Sequence, residues 1–201
     1  MPKIRILPEP PSKVFALATA AHLLAKLQWE VKGFRRASKR HADLGAHLIA
    51  AYHAFNCAVT AWHMADWIWM STEENGRAEI TAALDMPRAD LGCFQDAIRR
   101  NKALNCCRDI ATGSKHKDVS RRPDPDVRAA LEWDVEHATV ESSVDEPLAR
   151  YRARLVIHDS AGVRPATDVF EEALDYWTQF LERWGFIEAR FVTGRPVRKR
   201  L

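Results

Sequence analysis

Cysteine is scarce in this chain of 201 residues, and none of its four cysteines belongs to a CxxC pair. The adjacent Cys106 and Cys107 could close only a strained bridge. The sequence therefore offers no disulfide framework, and it predicts four reduced thiols. Cys106 and Cys107 lie in an apolar helical stretch, where lone cysteines usually act as small core residues.

Long hydrophobic runs are also missing. No run approaches the ~18 apolar residues that a membrane-spanning helix needs. At the N-terminus, prolines interrupt MPKIRILPEPPSK before an apolar stretch of signal-peptide length can develop. We therefore expect a cytoplasmic protein with no membrane partner.

Several motifs of nucleotide-binding and nucleophilic enzymes are absent from the sequence. There is no GxSxG, no P-loop and no GxGxxG, so no cofactor is expected. Internal repeats and low-complexity segments are absent as well. The sequence predicts one domain over residues 1–201, with a hairpin insertion at about 129–158 and a basic tail at about 190–201.

The net charge is only +3, so the overall charge is at most a weak indication of nucleic-acid binding. From residue 186 to residue 201, five basic residues stand against the single acid Glu188, a local charge of +4. The positive excess therefore lies in the tail. Its basic residues are Arg190, Arg195, Arg198, Lys199 and Arg200.

Helical periodicity is the main positive signal, and it predicts a mainly α-helical bundle of about four main helices. The basic stretch 34–41 is interpreted as a connection or a solvated first turn, and Asn75-Gly76 as the end of the second helix or a turn after it. The predicted helices run from Ser12 to Gly33, from about Ala42 to Met70, from Asp85 toward Gly113, and from Thr167 or Asp168 to Gly185.

The second predicted helix has an apolar stripe at helical spacing, which we assign to the core. This stripe consists of Leu44, Leu48, Tyr52, Phe55, Val59, Trp62 and Trp69.

The period changes to two between the third and fourth helices. Leu131, Trp133 and Val135 alternate with acids. In the second segment, arginines at 150, 152 and 154 alternate with Tyr151, Ala153, Leu155 and Ile157. Two strands joined by SSVDEP would form a hairpin whose outer face pairs acids with arginines. Cross-strand pairing explains this arginine row better than a nucleic-acid stripe does.

A polar stripe runs beside the apolar one on the second helix: His53, Asn56, Thr60 and His63 share one face. Asp66 lies three residues after His63 and could fix its tautomer, as in catalytic and metal-bound histidines. The same spacing also fits a buried pair with satisfied hydrogen bonds.

A metal site is one alternative for these residues. His53 and His63 are ~15 Å apart along a helix, so they cannot share an ion. A site would have to combine His63, Asp66 and His116, and it could also include His22 from the first helix. Only His63-Asp66 has the spacing usual in bundle metalloenzymes, so a metal-dependent hydrolase ranks third among our hypotheses.

Metal-free cleavage of RNA is the leading enzymatic hypothesis. RNA supplies its own 2′-hydroxyl nucleophile, so the protein needs an acid or base and a cation. His116 and Arg108 are suitable residue types, and Asp109 could orient either one. Lys115, Lys117, Arg121 and Arg122 could hold the RNA backbone.

The Arg108-Asp109 pair followed by His116 resembles the signature of HEPN-type proteins. These are small helical bundles that include many RNases of toxin and antiviral systems. The resemblance implies a homodimer with a composite site, in which Arg108 and His116 of both copies line a cleft.

A purely structural interpretation of residues 106–118 competes with that one. Gly113 would be the left-handed cap of the third helix, and Lys115, His116 and Lys117 would lie at the negative end of its dipole. Because adjacent helical residues do not face each other, Arg108 and Asp109 should have separate partners. A non-enzymatic interaction or dimerisation module, using the apolar helix faces and the basic tail, is the main alternative to the ribonuclease.

Overall fold

A computed structural model describes residues 17–39, 44–116, 124–136 and 150–187. This part of the chain is mainly helical, as predicted, but it has six helices where about four were predicted, and a three-stranded antiparallel sheet where a two-stranded hairpin was predicted. Residues 1–16, the segment SSVDEP that was predicted to join the strands, and the predicted tail at 190–201 lie outside it. In chain order the elements are α1 (Ala20–Ser38), α2 (Leu44–Ser71), α3 (Glu74–Ala83), α4 (Leu91–Ile98), α5 (Lys102–His116), β1 (Arg128–Glu136), β2 (Arg150–Asp159), β3 (Gly162–Pro165) and α6 (Ala166–Arg183).

Helix α1 begins after Thr19, whose hydroxyl accepts a hydrogen bond from the backbone N–H of His22 at 3.2 Å. The prediction that Gly33 ends this helix is wrong. The helix continues because Phe34 and Ala37 are buried on its core face. Gly33 instead allows close approach of α2, since a Cβ there would lie 2.7 Å from Cε1 of His53.

Helix α2 has the predicted bounds to within two residues, but its core face was assigned wrongly. Leu48, Tyr52 and Phe55 of the predicted stripe are exposed, although Trp69 is buried. The buried face consists mainly of small residues. Except for Asp66, no residue of α2 is an acid, a lysine or an arginine, so hydrophobic periodicity does not distinguish its two faces. The buried face includes Cys57, Ala58, Ala61, Met64, Ala65 and Ile68.

The region from residue 74 to residue 116 contains three helices where one was predicted. Asn75 and Gly76 lie inside α3, and Asp85 has a positive φ of 49°. Asp90 caps α4 by accepting from the N–H of Cys93 at 2.8 Å. Asn101 starts α5 by accepting from the N–H of Leu104 at 3.0 Å. The side-chain caps Asp90 and Asn101 therefore start α4 and α5 as separate helices.

The strands are in the order β1-β2-β3, and both neighbouring pairs are antiparallel. The register places Glu132, Asp134 and Glu136 opposite Arg154, Arg152 and Arg150. This is the cross-strand opposition of charges that the alternating pattern predicts. Strand β3 was not predicted, because its four residues are too few to show a period.

Helix α6 closes the core. Phe170 packs edge-on against Phe34 of α1 at 5.3 Å between ring centroids. Gly185 ends the helix as predicted, with φ of 71°. The N–H of Phe186 bonds to the carbonyl of Leu181 at 2.9 Å, which is a Schellman motif.

Candidate functional site

Arg108 and Asp109 are both buried in α5, at 8% and 5% exposure. Nη1 of Arg108 donates a hydrogen bond to Oδ1 of Asp109, forming an ion pair. The expectation that these adjacent helical residues do not face each other is therefore wrong. Low exposure favours the pairing, because a buried carboxylate or guanidinium is costly without an opposite charge.

Asp109 also fixes the segment that leads into β1. Its Oδ2 accepts a hydrogen bond from the backbone N–H of Asp124 at 2.8 Å. Asn105 donates to Oδ2 of Asp124 at 2.7 Å, and Arg99 donates to Asn105 at 3.0 Å. The predicted catalytic pair is thus part of a hydrogen-bond network that holds the start of the sheet against α5.

Arg108 and His116 lie on one continuous helix. Gly113 lies inside α5 and does not have a positive φ, so the predicted left-handed cap is absent. Eight residues along an α-helix separate two Cα atoms by about 12 Å of rise. Lys115 is exposed, whereas the His116 side chain, Lys117, Arg121 and Arg122 lie outside the described part of the chain. Their predicted roles remain predictions.

His63 and Asp66 do not form the predicted hydrogen bond. His63 is exposed, whereas Asp66 is half-buried and its Oδ1 accepts from Nε2 of Gln95 in α4 at 2.7 Å. Asp66 therefore connects α2 to α4.

The rest of the predicted polar stripe does not form one groove. Thr60 is buried and accepts a hydrogen bond from Nζ of Lys26 at 2.6 Å. Lys26 also pairs with the buried Glu30. His53 packs edge-on against Trp29, and Asn56 is exposed. Burial of Glu30 was not predicted, although Lys26 four residues earlier provides the charge that such burial needs.

The described residues contain no group of three or more His, Cys, Asp or Glu side chains that could hold a metal ion. Nδ1 of His22 accepts a hydrogen bond from the N–H of Ala18 at 3.1 Å, near the start of α1. His116, the remaining member of the predicted ligand set, has its side chain outside the described part.

All four cysteines are free and buried. Burial raises the pKa of Cys106 to about 12, and the nearby carboxylate of Asp159 acts in the same direction. Burial also raises the pKa of Cys57 and Cys107. These three thiols are therefore protonated at neutral pH, which disfavours nucleophilic roles.

Four large apolar side chains in the first half of α2 are exposed to solvent. Leu48 is 51% exposed, Ile49 46%, Tyr52 61% and Phe55 44%. We call these four residues the outer face of α2. Three of them, Leu48, Tyr52 and Phe55, belong to the stripe that was predicted to face the core. The lack of charge around α2 was the signal that this helix has two apolar faces.

An apolar cavity of about 160 Å³ adjoins this face. Phe55 and Ala54 of α2 line it, together with Leu131 of β1, Ile110 of α5 and Phe170 of α6. Leu131 is also 39% exposed. The apolar surface therefore continues from α2 onto the sheet.

No family model, curated protein or solved structure matches this chain. The HEPN resemblance therefore stays a prediction. In the part of the chain that the structure describes, no helix has the length and apolar character needed to cross a membrane.

Proposed function

We propose that this protein is a non-enzymatic interaction module that forms a homodimer through the outer face of α2. The observation that carries this proposal is the exposure of Leu48, Ile49, Tyr52 and Phe55. Their exposed parts amount to about 450 Å² of apolar surface, in the range of the largest patches found on monomers, which are often functional.

The spacing on α2 suits a helix as the partner. Leu48, Tyr52 and Phe55 are separated by four and then three residues, and the half-buried Val59 and Trp62 continue the same rhythm. Apolar residues at this spacing form a seam that can pack against another helix at a shallow angle. We call these five residues the seam of α2. A second α2 presents the same seam, so a two-fold contact would match like with like.

The charge distribution also favours a second copy. The seam from Leu48 to Trp62 contains no acid, lysine or arginine, so two copies can approach without repulsion between formal charges. A standard interface buries about 800 Å² per partner. The outer face of α2 supplies about half of that area, and the exposed part of Leu131 extends it.

A charge placed in the seam is expected to break the dimer. Tyr52→Glu should weaken self-association at least tenfold, because aromatic anchors near an interface centre carry much of the binding energy. Sedimentation equilibrium over a range of protein concentrations measures this effect. Gln179→Glu is the control, since it removes no apolar side chain and places an acid on the exposed surface of α6.

Both variants should retain the helical circular dichroism and thermal midpoint of the wild type. The proposal fails if the wild-type chain stays monomeric up to its solubility limit. It also fails if Tyr52→Glu associates as strongly as Gln179→Glu.

The HEPN-like ribonuclease is a competing hypothesis with a different experimental signature. It expects cleavage of mixed RNA in the presence of EDTA, and loss of that cleavage in His116→Ala with the fold retained. Arg108→Ala is a poor probe, because it would leave Asp109 without its buried ion pair. If the folded wild type leaves RNA intact under all conditions, the ribonuclease hypothesis is wrong.

A further inference from the structure

We infer that a cavity at the N-terminus of α6 binds a phosphoryl group, as inorganic phosphate or as the monoester of a small molecule. This α6 cavity has a volume of about 190 Å³. Its polar lining residues come from four elements: Ser38 of α1, His47 of α2, Arg154 of β2 and Thr167 of α6. The inference is independent of association through α2.

The first observation is the hydroxyl of Ser38. Its Oγ atom is fully buried and has no hydrogen-bond partner. Buried polar atoms in folded proteins nearly always have a partner, so an orphaned one calls for a specific explanation. Ser38 lines the α6 cavity, so rotation about its Cα–Cβ bond would let the hydroxyl donate to an acceptor oxygen bound there.

The second observation is the start of α6. This helix has 18 residues, and its N-cap residue Pro165 makes no side-chain capping bond. The first N–H groups of a helix and the positive end of its dipole favour bound anions. Thr167, in the first turn, adds a hydroxyl to the same cavity. Asp168 is exposed and does not line the cavity.

The third observation is the cationic side of the cavity. Arg154 supplies a guanidinium with five N–H donors, and His47 supplies an imidazole. Both residues also take part in other interactions, so a ligand would share their donors. An arginine can hold a phosphoryl group through two parallel hydrogen bonds while keeping another contact.

The arrangement of donors selects the chemical class of the ligand. Hydroxyl, backbone N–H and guanidinium donors come from different elements, so together they can supply more hydrogen bonds than the two oxygens of a carboxylate need, and a phosphoryl group offers three oxygens. Phe34, Ala50 and Leu155 provide an apolar part of the lining. A cavity of about 150 Å³ accommodates benzene, so the α6 cavity has room for a phosphoryl group and a short alkyl chain.

Calorimetric titration of the full chain tests this inference with three probes: inorganic phosphate, monoethyl phosphate and propionate. We expect both phosphates to bind at least about tenfold more tightly than propionate. Binding of monoethyl phosphate alone would assign the site to monoesters, whereas equal binding of both phosphates would assign it to the phosphoryl group itself.

Two variants locate the binding in the α6 cavity. Arg154→Gln should weaken binding of monoethyl phosphate about tenfold or more, and Ser38→Ala about fivefold. Arg128→Gln is the matched control, because Arg128 is exposed on the neighbouring strand and does not line the cavity. Its affinity should equal that of the wild type.

Three results would overturn the inference. They are an absence of heat with either phosphate, propionate binding as tightly as monoethyl phosphate, and equal losses of affinity in Arg154→Gln and Arg128→Gln. Ser38→Ala keeps the test decisive if Arg154→Gln fails to fold, because unchanged affinity in Ser38→Ala would also contradict the inference.

Discussion

Trp177→Ala is expected to lower the free energy of unfolding by about 3–5 kcal/mol. Trp177 is fully buried in α6, and its Nε1–H donates to the carbonyl of Ala61 in α2 at 2.8 Å. The indole is among the largest fully buried side chains. Its ring also packs against Phe180, with 5.7 Å between the ring centroids. Its removal leaves a cavity that the surrounding helices can fill only in part.

Urea unfolding followed by circular dichroism at 222 nm measures this loss without relying on tryptophan fluorescence. Trp177→Phe keeps most of the ring but not the hydrogen bond, so it should cost about 1–2 kcal/mol. Trp29→Ala is the matched control. Because Trp29 is 67% exposed, its removal should change stability by less than about 0.5 kcal/mol. Equal effects at positions 29 and 177 would contradict the described core.

The second large effect concerns the buried ion pair of α5. Asp109→Ala and Arg108→Met should each destabilise the protein by about 3–5 kcal/mol, because each leaves the opposite charge without its buried partner. Asp109→Ala also removes the acceptor of the Asp124 N–H. The measurement is again urea unfolding.

The double variant separates pairing from simple loss of contacts. Its cost should be at least about 1.5 kcal/mol smaller than the sum of the two single variants, because no unpaired charge remains. Arg88→Met is the control on an exposed pair, since Arg88 and Asp90 are joined at 3.2 Å on the surface. That change should have no measurable effect. Strict additivity at positions 108 and 109 would exclude the ion pair.

Elements with a single apolar face could be predicted from the sequence. In α6 the apolar residues recur at helical spacing, and in β1 and β2 apolar and charged residues alternate. Each of these elements therefore has one clear hydrophobic period, which identifies it as a helix or a strand. The buried face of α2 could not be predicted in this way, because apolar residues lie on all sides of this helix. The choice between its two faces depends on which face has small residues that let α1 and α6 approach closely.

The three glycines predicted to stop helices show why local signals are insufficient. Gly185 ends α6 with a positive φ, whereas Gly33 and Gly113 lie inside helices. A glycine permits a left-handed residue but does not require one. At Gly33 the helix continues because Phe34 and Ala37, which follow it, are buried in the core.

The hydrogen-bond partners of the candidate site residues could not be predicted from the sequence, because those partners lie far away along the chain. The sequence identified Asp66 and Asp109 as polar residues in apolar surroundings. Their partners, Gln95 and Asp124, lie 29 and 15 residues away. The α6 cavity draws its polar residues from four elements, and no local spacing connects them.

The hydrogen bond between Trp177 and Ala61 joins residues 116 positions apart. A ribosome adds about 5–20 residues per second, so Trp177 is synthesised about 6–23 seconds after Ala61. Helices α1 and α2 can pair early, because a short connection separates them. During that interval the part of the buried face of α2 that packs against α6 in the folded chain stays uncovered.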